Sequence, residues 1–185
     1  GVTTSATYYS SVRVPTSSLV GEENKGWRLI TNQLNHERVA LTSAAPVMSA
    51  LADVRDWAAS TRLASGERVI DAEWVQLSLA RVHAKVEFLK LLNWRVASSG
   101  GSLGPADASA TKVFGTEFAV EAYRLLMEVL GASAVVRSGS PGEVLAGRVE
   151  RAHRAALILT FGGGTNEVQR DIIAAAGLGL PFSRR

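Results

Sequence analysis

The chain has 185 residues, 46% of them hydrophobic and 20% charged, a formal net charge of +3, and no cysteine. That composition is ordinary for one globular domain with a modest core and argues against disorder. The missing cysteines exclude a disulfide framework and a thiolate metal site, and the scattered His36, His83 and His153 have no metal-ligand spacing, so no metal is expected. No secretory signal pattern and no apolar run of membrane-spanning length is visible, which predicts a soluble cytoplasmic protein without a membrane partner. The positive charge is interleaved with acids. Only Arg184-Arg185 form a basic doublet, so a nucleic-acid partner is not expected, whereas an anionic ligand fits as well.

Residues 1–20 are rich in Thr, Ser, Val and Tyr, and Pro15 follows Val12-Arg-Val14, which predicts one or two short strands and a turn. So small a β element cannot hide its faces alone and must pack on something else. From Gly26 the apolar residues recur at helical spacing. A first helix holds Leu29, Ile30, Leu34, Val39 and Leu41 and bends or restarts near Pro46; a second runs to about Thr61, and Gly66 suits the left-handed turn that follows. A long helix from about Asp71, a candidate cap, to Ser98 is expected to bury Trp74, Leu77, Val82, Val86, Leu89 and Leu92.

Gly100-Gly-Ser-Leu-Gly104 breaks the chain, and Pro105 suits the first turn of the next helix, which reaches Leu130 through Val113, Phe114, Phe118, Tyr123, Leu126 and Val129. A loop over residues 138–142, a weak helix from Glu143 to Leu159 and a short terminal helix complete an all-α, up-and-down bundle. The expected organisation is residues 1–23 as a β edge with linker and residues 24–185 as the helical bundle domain. No internal repeat is evident.

Three stretches could carry chemistry. Gly162, Gly163 and Gly164 stand before Thr165 and a terminal helix, so their backbone N–H groups can approach a carbonyl oxygen, an anion or a flavin edge. Taken alone, three glycines are more often an ordinary loop with Thr165 as the helix cap. Glu37 and Arg38 sit side by side in the first helix, where a solvated surface pair is the ordinary reading. Ser109-Ala-Thr-Lys112 matches the Ser-x-x-Lys of penicillin-interacting enzymes, but the companion Ser-Asp-Asn and Lys-Thr-Gly elements are missing, and Lys112 needs no chemistry in a helix of the bundle. Trp27, Trp57, Trp74 and Trp94 read as core or interface residues.

The string Phe161-Gly-Gly-Gly-Thr-Asn-Glu-Val-Gln-Arg170 resembles the cofactor- and thioester-binding turn of the acyl-CoA dehydrogenases, Val12-Arg-Val-Pro-Thr-Ser-Ser-Leu-Val-Gly21 is similar to the junction between their middle β-domain and C-terminal helices, and residues 26–38 look like the first long helix of that C-terminal domain. The resemblance covers nearly the whole chain. It implies FAD as cofactor, an acyl-CoA substrate, an electron-transferring flavoprotein as electron acceptor, and a homo- or heterotetramer with another chain of the family. The reaction implied is α,β-dehydrogenation of an acyl-CoA in lipid β-oxidation.

Many members carry the catalytic glutamate within the terminal turn, where this chain has Gly162 and Gly163. Some carry it on the first helix in a Leu-x-x-Glu-Arg setting that matches residues 34–38, so the resemblance implies Glu37 as base. Arg38, Gly162, Gly163 and Gly164 would line the substrate site, the glycines leaving room for a bulky or branched acyl chain. Thr165 and Glu167 match FAD-contacting positions, and Arg62 and Gly66 match positions that bind a neighbouring subunit's FAD. At that second site Ser65, Glu73 and Glu128 depart from the usual phenylalanine and two glutamines, and an acid near a diphosphate repels it. This asymmetry is similar to the heterotetrameric dehydrogenases of sterol-degrading actinobacteria. Two other readings stand beside it: a noncatalytic partner subunit that keeps the bundle, and an unrelated helical adaptor. The fragment by itself is expected to be inactive.

Overall fold

The computed structural model describes residues 3–99 and 103–181. Part of the expected break at Gly100-Gly-Ser-Leu-Gly104 and the Arg184-Arg185 doublet lie outside them. The helices are α1 (Gly26–Ala40), α2 (Ala45–Ser60), α3 (Glu73–Ser98), α4 (Pro105–Leu130), α5 (Arg148–Leu159) and α6 (Asn166–Ile172), the last continuing as a π-helical turn, Ile173–Gly177. The all-α class is as expected. The β remnant is not: the described part of residues 1–23 is exposed and irregular apart from a 3-10 turn at Thr16–Ser18. A strand is held by its ladder, and among the described residues there is no second strand to pair with it.

Helix α4 is the hub, packing against α1, α2, α3, α5 and α6. It can do so because its buried residues encircle it: small Ala108, Gly115, Ala119 and Ala122 admit neighbours closely, while Phe118, Leu125, Leu126 and Val129 fill the wider gaps. Pro105 occupies its first turn and Gly131, at φ 63°, ends it. Phe114 joins α4 to α3 edge-on against Phe88, ring centroids 4.7 Å apart.

Helices α1 and α2 are separate. Pro46 lies in the first turn of α2, as expected for a restart, and Asn93 of α3 clamps the connection, its Nδ2 donating to the Thr42 carbonyl at 3.2 Å and its Oδ1 accepting from Ala44 N–H at 3.4 Å. Groups that a continuous helix would satisfy internally are thus satisfied by a side chain. Thr42 in turn packs directly on Gly115, where a Cβ would lie 2.6 Å from the Thr42 Cβ.

Two details of α3 differ from expectation. Its buried stripe is Val75, Leu79, Val82, Val86 and Leu89, whereas Trp74 and Leu77 are 51% and 60% exposed. The stripe steps by four and three residues in alternation; the expected Val82, Val86 and Leu89 lie on it, and the expected Trp74 and Leu77 fall on the exposed face instead. That exposed face also carries Phe88, Leu91 and Trp94, so α3 is apolar on two sides. Asp71 is no cap; the N-cap is Ala72, and Asp71 instead pairs with Arg68 at 2.7 Å. Helix α5 begins at Arg148 rather than Glu143, because Leu145, Ala146 and Gly147 have positive φ and cannot continue a right-handed helix. Among the described residues no helix is long and apolar enough to cross a membrane.

The Thr42–Gly115 contact gives a first prediction. Gly115→Ala should destabilise by about 1–3 kcal/mol through overpacking, lowering the melting temperature by roughly 3–10 °C. Adding Thr42→Gly should recover part of that loss; full additivity of the two changes in a double-mutant cycle would contradict the contact.

Candidate active site

The glycine turn joins α5 to α6 and is closed by its own backbone, with Gly162 N–H donating to Ile158 O at 2.9 Å and Asn166 N–H to Thr160 O at 3.0 Å. Gly163 and Gly164 have φ of 68° and 96°, conformations that a side chain disfavours. A Cβ on Gly163 would lie 3.1 Å from Leu41 Cδ1, and one on Gly164 2.6 Å from Gln169 Nε2. Side chains at these positions would point into the protein, so the outer surface of the turn is backbone. Thr165 is the cap of α6, its hydroxyl accepting from Val168 N–H at 3.3 Å, and Glu167 follows in the first turn, where the helix dipole favours an acid.

From the other side the last turn of α1 meets this loop. Arg38 Nε donates to the Gly163 carbonyl at 3.4 Å, and Leu41 packs on Gly163. Burial holds the Arg38 guanidinium below its ordinary pKa, with Glu37 opposing that shift. Glu37 itself is exposed on α1. The structure therefore brings together Arg38, Gly163 and the helix turn that carries Glu37, two stretches 125 residues apart. Arg62 and Gly66 form a separate group beyond the end of α2, where Arg62 Nη1 donates to Gly66 O at 2.7 Å and both residues are exposed. Glu128 is paired with Arg124, which offsets part of the repulsion that an acid there would exert on a diphosphate.

Lys112 proves central. It is 0% exposed, and its ammonium donates to Asn166 Oδ1 at 2.7 Å, Gly164 O at 2.8 Å and Thr160 O at 3.1 Å. Asn166 Nδ2 continues the network to Glu117, whose carboxylate takes both oxygens to Arg170, at 2.8 and 2.9 Å. Gln169, also fully buried, donates to Gly163 O at 3.3 Å. Sequence reasoning set Lys112 aside and missed Asn166, Gln169 and Glu117. The available signal was the polar series Ser109, Lys112 and Thr116 on an otherwise apolar helix, at spacings of three and four.

Burial lowers the Lys112 pKa, the nearby Arg38 charge acts the same way, and Glu117 and Glu167 oppose it. The unfolded chain binds this proton more tightly, so stability should rise with pH from the folded-state pKa up to the ordinary value of 10.5. Lys112→Met should flatten that rise in denaturation curves taken on the alkaline side up to pH 10.5; an unchanged slope would place the titration elsewhere. In the turn, Gly164→Ala should cost about 1–3 kcal/mol from positive φ and displacement of Gln169, whereas Gly162→Ala, whose Cβ would meet only the Ile158 carbonyl at 3.3 Å, should cost less. Equal melting temperatures for the two variants would contradict this.

Residues 24–178 match the family model described as "Acyl-CoA dehydrogenase, C-terminal domain". The Mycobacterium tuberculosis acyl-CoA dehydrogenase FadE26 is 66% identical over 190 residues, covering 100% of this chain and 48% of its own length. A crystal structure of the ChsE4-ChsE5 complex from the same organism matches with TM-score 0.88 at 68% identity, over 96% of this chain and 46% of that one. The Tcur3481-Tcur3483 steroid ACAD matches with TM-score 0.85 at 46% identity, over 95% and 45%. The chain thus spans about half the length of these relatives, and it belongs to the acyl-CoA dehydrogenase family, of which it carries the C-terminal domain.

Proposed function

We propose that this domain works in a cytoplasmic FAD-dependent acyl-CoA dehydrogenase that oxidises the Cα–Cβ bond of a bulky or branched acyl-CoA, with Glu37 as the base. The supporting observation is the contact of Arg38 with the Gly163 carbonyl, which sets the Glu37 turn of α1 against the glycine turn. Glu37 takes the α-proton. The bound FAD supplies the hydride acceptor for Cβ, and an electron-transferring flavoprotein removes the electrons. A carboxylate becomes a stronger base toward carbon when it is desolvated. The described residues leave Glu37 exposed, so substrate and the rest of the enzyme would supply that desolvation, covering the exposed Trp27, Leu29 and Ile30 of α1 as well.

The turn suits this role because it presents backbone where family members with a glutamate in the turn present a side chain. Gly162, where a Cβ would meet only the Ile158 carbonyl, leaves space for substrate bulk, Gly163 and Gly164 let the backbone border that space, and Arg38 orients the loop. Thr165 and Glu167 would contact the FAD of this chain. Arg62 and Gly66 are exposed, as a pair serving the FAD of a neighbouring subunit must be. The steroid ACAD and the ChsE4-ChsE5 complex are two-component assemblies by name, and we assign this chain to a heteromeric tetramer of the same kind. The exposed apolar face of α3 is the surface such an assembly would cover.

The test is flavin reduction in the intact enzyme, co-expressed with its partner, by straight, branched and steroid side-chain CoA esters. Glu37→Gln should keep its flavin and slow reduction by about 10²–10⁴-fold. Reduction at the wild-type rate would remove Glu37 from the role of base.

A further inference from the structure

We propose that the far end of the acyl group is held inside the helical domain, in a cavity between the α1–α2 connection, α4 and α5, where the Tyr123 hydroxyl donates to an oxygen that this end carries. Tyr123 is thus a specificity-determining residue for a ring-bearing acyl group with a distal carbonyl or hydroxyl. This rests on the reading above that the glycine turn binds an acyl-CoA.

Two cavities, of about 310 and 240 Å³, adjoin along Pro46, Tyr123 and Ala152. Ligand sites of about this size are mostly apolar, with a few polar groups that fix orientation. The inner cavity starts at the candidate site. Leu41, which packs on Gly163, lines it, as does Leu159, the last residue of α5 before the glycine turn. Ala40, one helical turn beyond Glu37, lines it too. Gly115, Ala119, Ala155 and Ala156 add further walls, and none of them has a side chain beyond Cβ. A single methylene chain would leave much of that width empty and forfeit contacts, whereas a rigid ring system fills it and has little freedom to lose on binding. The outer cavity carries Asp53 and Arg148, ion-paired at 3.0 Å, so the lining becomes polar away from the turn.

Tyr123 stands where the two cavities meet. It is only 6% exposed, and among the described residues its hydroxyl has no hydrogen-bond partner. The oxygen is nonetheless not sealed off, so it opens into this space. A buried tyrosine ordinarily pairs its hydroxyl, and an unpaired one is the kind of group that a ligand satisfies. Burial raises the Tyr123 pKa, which keeps the phenol protonated as a donor at neutral pH. An acyl group that lacks the distal oxygen would cover the hydroxyl without pairing it, and that difference discriminates between substrates.

The experiment uses the intact, flavin-loaded assembly with Glu37→Gln, in which bound substrate does not turn over, and a ring-bearing acyl-CoA with a diazirine on its far ring. After irradiation, peptide mass mapping should place the label on α4 and α5 around Tyr123 and Ala152; label confined to other segments or to the partner chain overturns the proposal. With Glu37 restored, Tyr123→Phe should lower kcat/KM by about 3- to 10-fold for an ester with a distal ketone and should not lower it for the deoxygenated counterpart. An equal loss for both overturns the role of Tyr123. Ala155 is exposed, so Ala155→Phe narrows the cavity without overpacking the core. It should reduce the ratio of kcat/KM for ring-bearing over straight-chain esters by roughly tenfold or more; an unchanged ratio counts against the cavity. Should a variant fail to assemble, the position of the label decides alone. Failure of every thioester to perturb the flavin spectrum overturns the acyl-CoA reading itself, a separately visible result.

Discussion

A buried ammonium without a carboxylate of its own is the constraint around which the site is built. Lys112 lies in the first half of the hub helix α4, and its three acceptors lie between the end of α5 and the first residue of α6. Desolvating a lysine is costly, and the cost is offset only if every proton finds an acceptor in good geometry. The segment from Thr160 to Asn166 therefore has little freedom: two carbonyls and one amide oxygen must converge on one point. Within it Gly163 and Gly164 adopt positive φ, which glycine at both positions allows without a steric penalty.

The same turn is held from α1 by Arg38, and α1 is held by the clamp of Asn93 on the connection to α2 and by the seat of Thr42 on Gly115. A chain of contacts thus runs from α3 through the α1–α2 break to the Glu37 turn, and from there to the glycines. The break in the helix gives this geometry a local cause. A continuous α1–α2 helix would have no free carbonyl at Thr42 for Asn93 to hold, and the last turn of α1 would not be fixed against α4 in the same way.

Much of this was legible from residue order. Helix order, the restart at Pro46, the start of α4 at Pro105 and its end at Gly131 follow from local chemistry that single residues announce. Trp74 and Leu77 of α3 show where local reading stops: Val82, Val86 and Leu89 are buried as expected, but these two are as apolar and lie exposed, so hydrophobicity alone could not choose between two faces. The β remnant failed for a related reason, since strand character in residues 1–20 is realised only through a partner. In the site, the proximity of Glu37, Arg38 and Gly163 could be anticipated only by resemblance, because 125 residues separate the two stretches. Lys112 was hidden by the opposite habit: a lysine in a helix is ordinarily a solvated one.

The central proposal is that the base of the proposed dehydrogenase stands on α1 and not in the terminal turn. The most direct measurement is exchange of the α-hydrogens of a saturated acyl-CoA with solvent deuterium, followed by mass spectrometry on the intact assembly, because it reports proton abstraction without requiring hydride transfer. Wild-type protein should incorporate deuterium at Cα and Glu37→Gln should not. Incorporation by Glu37→Gln at the wild-type rate would contradict the account.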